Sequence, residues 1–185
     1  LGITHSNVTF IGTGKDTTTI LGGFAICDFE NITFKNMTVT NTSDDGCGIY
    51  MSNAKVKLID VALKGCDGHG LLMSARSTSE TTVVATHCEF SNCENGAVVS
   101  GSLTSAKFEN CVFHNKYDGI YVYDKGTIHL HGEATALHSN KWNGIYATES
   151  GRVIIHLPSN HNTSYNNGED DRRTMTGGTI TNVED

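Results

Sequence analysis

Apolar and polar positions alternate along this chain in short runs, and the runs recur at a near-constant spacing. The stretch FHNKYDGIYVYDKG, Phe113 to Gly126, shows the unit: a polar, Asn-containing turn, a glycine at Gly119, then inward and outward positions alternating through Ile120-Tyr121-Val122-Tyr123. The unit returns as HSNKWNGIYATESG from His138 to Gly151, and more loosely as NTSDDGCGIYMSNA from Asn41 to Ala54. Anchoring on the glycine before each alternation gives Gly23, Gly48, Gly70, Gly96, Gly119, Gly144 and Gly168, spaced 22–26 residues apart. That period is too short for helical-pair repeats and lacks a leucine-rich consensus, but it fits one turn of a three-sided β-solenoid.

If the coils lie over one another, inward positions must form apolar columns. After the glycine come Ile49, Leu71, Ala97, Ile120 and Ile145, and two residues on Met51, Met73, Val99, Val122 and Ala147. A second strand supplies Met37, Val61, Cys88, Cys111 and Ala134, followed by Val39, Leu63, Phe90, Phe113 and Ala136. A third supplies Phe10, Phe34, Leu58, Val84, Phe108, Leu130 and Ile155. Three strands per coil, each with period-two alternation, put one side of every strand inside. Parallel pairing of adjacent coils about 4.8 Å apart would make some seven coils a rod of roughly 30 Å. The corners carry Asn41, Asn92, Asn115 and Asn140 after the second strand, and Asn36, Asp60 and Asn110 between the third and second. Asn tolerates left-handed backbone and hydrogen-bonds along a stack. The polar run Ser159 to Arg173 departs from the pattern and predicts a loop or cap over residues 159–178.

Composition agrees with strands and turns rather than helices: 20 glycines stand beside a single proline, Pro158. A chain of 185 residues without a Pro/Ser-rich linker predicts a single domain over 1–185. Entry into a strand-like segment directly after Leu1 suggests a piece of a longer protein. No apolar run approaches the roughly 20 residues a membrane helix needs, so no membrane partner is expected. A formal net charge of -7 argues against nucleic acid, which requires clustered Lys and Arg. Asn-x-Ser/Thr triplets at Asn7, Asn31, Asn36, Asn41 and Asn162 would suit a secreted chain, but an Asn- and Thr-rich sequence produces them by chance; the compartment stays open. Of the cysteines, Cys88 and Cys111 fall in an inward column, and Cys66 and Cys93 are the corner pair in which to test a bridge. No metal-ligand set is read from spacing. His129 and His131 point outward together, His114 and His138 share a corner column, and zinc at either pair lacks a third ligand.

With period, strands and corners in place, the chain resembles the right-handed parallel β-helix, or pectate-lyase-like, superfamily. The fold implied is all-β, a single-stranded three-sided solenoid of about seven coils. The turns Asn143-Gly144-Ile145 and Asp118-Gly119-Ile120 are similar to those of carbohydrate-binding and sugar-hydrolase β-helix repeats, and Val8 to Ile20 resembles the first coil of such domains. That superfamily includes polysaccharide lyases, hydrolases, epimerases, phage tailspikes and recognition domains of F-box proteins, so the fold does not name the chemistry.

The polygalacturonase pattern implied by the resemblance would draw on Asp44, Asp45, Asp67 and His69, with Arg76 beyond, the carboxylates acting as acid and base. The register does not reproduce it: His69 stacks over Cys47, Asp45 lies level with Asp67, and Arg76 is followed by Ser77-Thr78 rather than x-Lys. The same residues are otherwise turn residues. No cofactor is expected, except calcium on Asp44, Asp45 and Asp67 if the site is lyase-like.

Aromatic residues make the other constellation. Tyr117 and Trp142 hold one position before the glycine, Tyr121 and Tyr146 one position after it, and Tyr50 lies further along that outer column. A core does not need outward rings; with nearby Asn and Asp they suit a glycan or a protein partner, and they also suit the outside of a parallel sheet. The expected function is a recognition module that binds glycan or protein on a lateral face through Tyr50, Tyr117, Tyr121, Trp142 and Tyr146, without catalysis of its own. A polysaccharide lyase or hydrolase is the alternative, and a structural spacer or fibre segment the third.

Overall fold

Among the described residues the regular elements are all β-strands. The structure is a computed structural model that describes residues 1–75 and 79–183. Strands following the glycine column, Phe24–Cys27, Ile49–Ser52, Leu71–Ser74, Ala97–Ser100, Ile120–Tyr123, Ile145–Ala147 and Arg172–Thr174, pair in parallel as a 7-stranded sheet, the first face. A 13-stranded sheet forms the other two. Its third-face part includes Thr9–Ile11, Thr81–Thr86, Thr104–Glu109, Thr127–His131, Arg152–His156 and Thr179–Asn182. Its second-face part includes Thr19–Leu21, Glu89–Ser91, Val112–His114, Ala136–His138 and Ser164–Tyr165. Ile32–Thr40 and Lys55–Lys64 run through both and join them.

The bend between those two faces is made by left-handed residues. Asn36 and Asp60 have φ of 54° and 53°, and Asn110 53°, the conformation that short polar side chains tolerate. His87 takes the same role at 54°, a corner residue the Asn/Asp rule does not find. Inside the bend, Phe90 stacks on Phe113 at 4.6 Å between centroids, with Phe108 edge-on to both. Among the described residues no helix is long and apolar enough to cross a membrane.

Three expected column positions move by register. Leu58 pairs with Ala85, which in turn pairs with Phe108; Val84 faces outward, 36% exposed. Of two adjacent valines, the alternation buries Val83 together with Ala85. In the sixth coil the inward residues are Thr135 and Leu137, not Ala134 and Ala136, because Phe113 pairs with Leu137. The turn around Gly132, closed by the Thr135 amide on the Gly132 carbonyl, lengthens that corner and shifts the strand by one residue, which exchanges its two sides. The seventh glycine also moves: Ile145 pairs with Arg172, so Asp171 rather than Gly168 follows Gly144 in its column. Within 159–178, where a loop or cap is expected, Ser164–Tyr165 and Arg172–Thr174 add a strand to the second and first faces.

The glycine column is a matter of close approach. A Cβ on Gly48, Gly70, Gly96 or Gly119 would lie 2.7, 2.6, 2.5 and 2.6 Å from the glycine carbonyl oxygen of the next coil. Each glycine thus lets the corner stack at sheet spacing. Asp171, which carries a side chain, stands in the edge strand's coil.

Beside it runs a buried polar ladder. The backbone N–H of Cys93 donates to Asn115 Oδ1 at 3.2 Å, that of Asn115 to Asn140 Oδ1 at 2.8 Å, and that of Asn140 to Asn167 Oδ1 at 3.1 Å. The amide ends of Asn115, Asn140 and Asn167 donate in turn to the carbonyls of Phe90, Phe113 and Leu137. Cys93, not Asn92, holds the next rung. Its Sγ accepts the Cys66 N–H at 3.4 Å and donates to the Leu63 carbonyl at 3.6 Å, a thiol doing the work of an amide. The hydrogen bond with Cys66 and burial push the Cys93 thiol well above its usual range, so it stays a donor. Both cysteines are free.

Asn140→Ala removes one ladder rung while leaving the Asn115 N–H and Phe113 carbonyl buried. We expect a loss of about 1–3 kcal/mol per orphaned group, measured by urea unfolding.

Candidate functional site

Stacking converts single outward residues into rows, and three rows converge at one end of the first face. The row on the sheet reads Ala25, Tyr50, Leu72, Val98, Tyr121, Tyr146 and Arg173. The corner row reads Gly46, Gly68, Glu94, Tyr117, Trp142 and Glu169, each N–H bonding the carbonyl of the residue before it in the row. Between them lies Cys47, His69, Asn95, Asp118, Asn143 and Asp170. In the early coils the corner row is glycine and leaves nothing to form a wall. From Tyr117 onward both outer rows are large, and a cleft of about 490 Å³ opens between them.

The cleft is lined by Asn95, Asp118, Tyr121, Trp142, Asn143, Tyr146, Glu169 and Arg173. Tyr117 stacks on Trp142 at 4.2 Å, and Tyr121 on Tyr146 at 5.1 Å. These rings cover one another's faces along the rod, so edges and polar tips are left for a ligand. The two rows end in an ion pair, Arg173 Nη1 to Glu169 Oε2 at 2.9 Å, with the guanidinium 5.5 Å from the Tyr146 ring centroid. The pair is largely exposed and contributes little to stability; its effect is to close the cleft.

The floor is a second polar ladder. Asp118 N–H donates to Asn95 Oδ1 at 2.9 Å, and Asp118 Oδ1 accepts both the backbone N–H and Nδ2 of Asn143, at 3.0 and 2.7 Å. Asn143 Oδ1 is buried with no hydrogen-bond partner, which is costly for an amide oxygen. Burial pushes the Asp118 carboxyl above its ordinary value and Glu169 adds to this, against the Asn143 hydrogen bonds and the Arg173 charge. Burial likewise raises Tyr121, with Tyr146 beside it.

Four of the five expected aromatics therefore meet. Tyr50 does not: Leu72 and Val98 separate it from Tyr121, about 14 Å along the rod at sheet spacing, and its hydroxyl lies 3.3 Å from Ser74 Oγ. Asp118, Asn143, Glu169 and Arg173 are the residues a search for outward rings passes over. Asp118 and Asn143 sit in the very DG and NG turns quoted for the fold, where a turn explains them already. Glu169 and Arg173 lie in the polar run, whose register depends on the displaced Asp171.

Asp44, Asp45 and Asp67 are exposed turn residues. Asp67 Oδ2 accepts the Asp45 N–H at 3.2 Å, and among the described residues Asp44, Asp45 and Asp67 do not converge as a metal-ligand group. His69 continues the floor ladder, Nδ1 3.3 Å from Asn95 Nδ2 and 3.9 Å from Glu94, its pKa lowered by burial. Arg76 lies outside the described residues. Elsewhere, the outward pair His129 and His131 is joined by His156 from the next coil. Burial first, then the charges of His156 and Lys107, lower both His129 and His131, and Arg152 adds to this at His129.

The family model for a right handed beta helix region matches residues 2–134. Comparison with curated proteins and with solved structures finds no match. The matched span ends between the two halves of the cleft, while the coils continue past it.

A raised carboxyl makes the native state bind more protons than the unfolded chain above the ordinary Asp value of 3.8. Stability from this group is therefore greatest below that value and falls as pH rises through the folded pKa. Asp118→Asn keeps an oxygen for Asn143 and removes the buried charge. Its Tm should exceed that of the parent at pH 7 and converge with it near pH 3, each kcal/mol appearing as about 2–4 °C.

Proposed function

The chain belongs to the right-handed β-helix family, and we propose that it is a recognition module that binds a glycan in the lateral cleft between Trp142 and Tyr121–Tyr146. One observation carries this reading: ring edges, a buried amide and carboxyl, and a Glu–Arg pair converge on one cleft of about 490 Å³. That volume lies in the range of small-ligand sites, about 300–1,000 Å³. A hydroxyl-rich ligand matches the chemistry better than an apolar one. Asn143 and Asp118 place an amide and a carboxyl in the lining, and Arg173 and Glu169 add a donor and an acceptor. A protein hot spot would call for a drier, more apolar centre.

A second reading is favoured by the carboxyls. Asp118, its carboxyl pushed up by burial, and Glu169, paired with Arg173, are two carboxyls in one cleft, the pair of groups that glycoside hydrolysis uses. In that reading Asp118 protonates the leaving oxygen and Glu169 activates water.

Screening the full chain on a glycan array, followed by calorimetry on the best ligand, separates these. We expect Trp142→Ala, 42% exposed and so free of the core, to weaken binding by about tenfold to a hundredfold. Tyr50→Ala should leave the affinity unchanged. An array without a ligand, or a Trp142→Ala and Tyr121→Ala double variant that binds as the parent does, would remove the cleft from consideration. Release of reducing ends from the ligand, abolished by Glu169→Gln, would establish the second reading.

A further inference from the structure

On the third face, away from the cleft, two strands bring three imidazoles together. Thr127–His131 and Arg152–His156 are paired in parallel, with His131 level with His156 and His129 level with Ile154. His129 and His131 are two apart on one strand and so share its outer side. His156 stands on the same side of the adjacent strand, and its ring stacks on that of His131 at 4.0 Å with planes 9° apart. His129 Nδ1 lies 3.0 Å from His156 Nε2. One ring nitrogen from each of the three falls within 4.8 Å of the others, and among the described residues no other trio of His, Cys, Asp or Glu does so.

We propose that His129, His131 and His156 form a binding site for a divalent transition-metal ion of the zinc type. Zinc–imidazole bonds of about 2.0–2.1 Å with tetrahedral angles place ligand nitrogens about 3.3 Å apart. One pair already stands near that spacing, and side-chain rotation alone can bring in the third. Three neutral nitrogens of borderline softness select zinc, copper or nickel over calcium and magnesium, which take oxygen. The backbones are fixed by sheet hydrogen bonds on both sides, since Thr104–Glu109 and Thr179–Asn182 flank the pair. This is the pre-organisation that a metal site requires. The rings are only half-buried, so the fourth position faces solvent, as in three-histidine sites that keep water on the metal. The charged neighbours are Glu109, level with His131, Lys107, level with His129 and paired with Glu109 at 3.4 Å, and Arg152, whose Nη2 reaches Thr127 Oγ1. The His114–His138 stack on the second face, centroids 5.8 Å apart, is a pair without a third member in that trio and serves as the comparison.

The test is titration of the chelator-treated full chain with Co²⁺, followed by displacement with Zn²⁺. One equivalent should bind with the intense visible absorption of a four-coordinate ion, and Zn²⁺ should bleach it and raise the Tm of the parent. His131→Ala and His156→Ala should each lower the affinity at least a hundredfold and lose the Zn²⁺-dependent rise in Tm, while His138→Ala behaves as the parent. All three positions point outward, so circular dichroism should show each variant folded; His129→Asn, which keeps a polar side chain of similar reach, should reproduce the loss. Absence of stoichiometric binding, a weak six-coordinate spectrum, or binding retained in His131→Ala and lost in His138→Ala would each overturn the proposal.

Discussion

Everything in this molecule follows from the parallel hydrogen bonding of one coil to the next. The spacing it imposes, about 4.8 Å, is shorter than most side chains are long, so equivalent residues in successive coils meet whether or not they suit one another. Apolar residues profit from this inside, as the Phe90–Phe113 stack shows. At the corners, the backbone turns and side chains would collide, and two solutions stand side by side. The glycine column removes the side chain altogether; the Asn115–Asn140–Asn167 ladder gives each side chain both a donor and an acceptor in the neighbouring coil.

The same rule makes function local without disturbing the fold. Outward rows can change residue from coil to coil at little cost, and the cleft exists only where two rows become large at once. Upstream of Glu94 the corner row is Gly46 and Gly68; downstream it is Tyr117, Trp142 and Glu169. The third face repeats the principle with imidazoles. In both places side chains about 25 positions apart in sequence are made neighbours by the coil period.

Most of the fold is legible in the sequence because inward columns follow from period two, and six of the seven third-face positions lie where the alternation places them, Val84 being the exception. What is not legible is corner length. Nothing in TTVVAT says which valine turns inward until Ala85 is seen between Leu58 and Phe108, and the Gly132 turn shifts Leu137 into the core through its length alone. The cleft was half visible for the same reason. Its rings repeat at the period and declare themselves, but Glu169 and Arg173 enter through a coil whose anchoring glycine is displaced, and Asp118 and Asn143 hide in turns that need no further explanation. His156 is likewise distant in sequence from His129 and becomes a partner only once the register is known.

The thiol rung has a practical meaning. Cys27 is exposed and Cys47 half-buried, whereas Cys66, Cys88, Cys93 and Cys111 are enclosed in three successive coils, Cys88 and Cys93 sharing the middle one, Cys93 with its sulfur inside the ladder. In a stack where each coil touches only its neighbours, opening is a local event that spreads from an edge. A thiol reagent would meet Cys27 at once but could reach Cys93 only after the coils around it had parted. The chain thus carries its own graded set of clocks along the rod axis, and the order in which its sulfurs become reactive would report, coil by coil, where the solenoid comes apart.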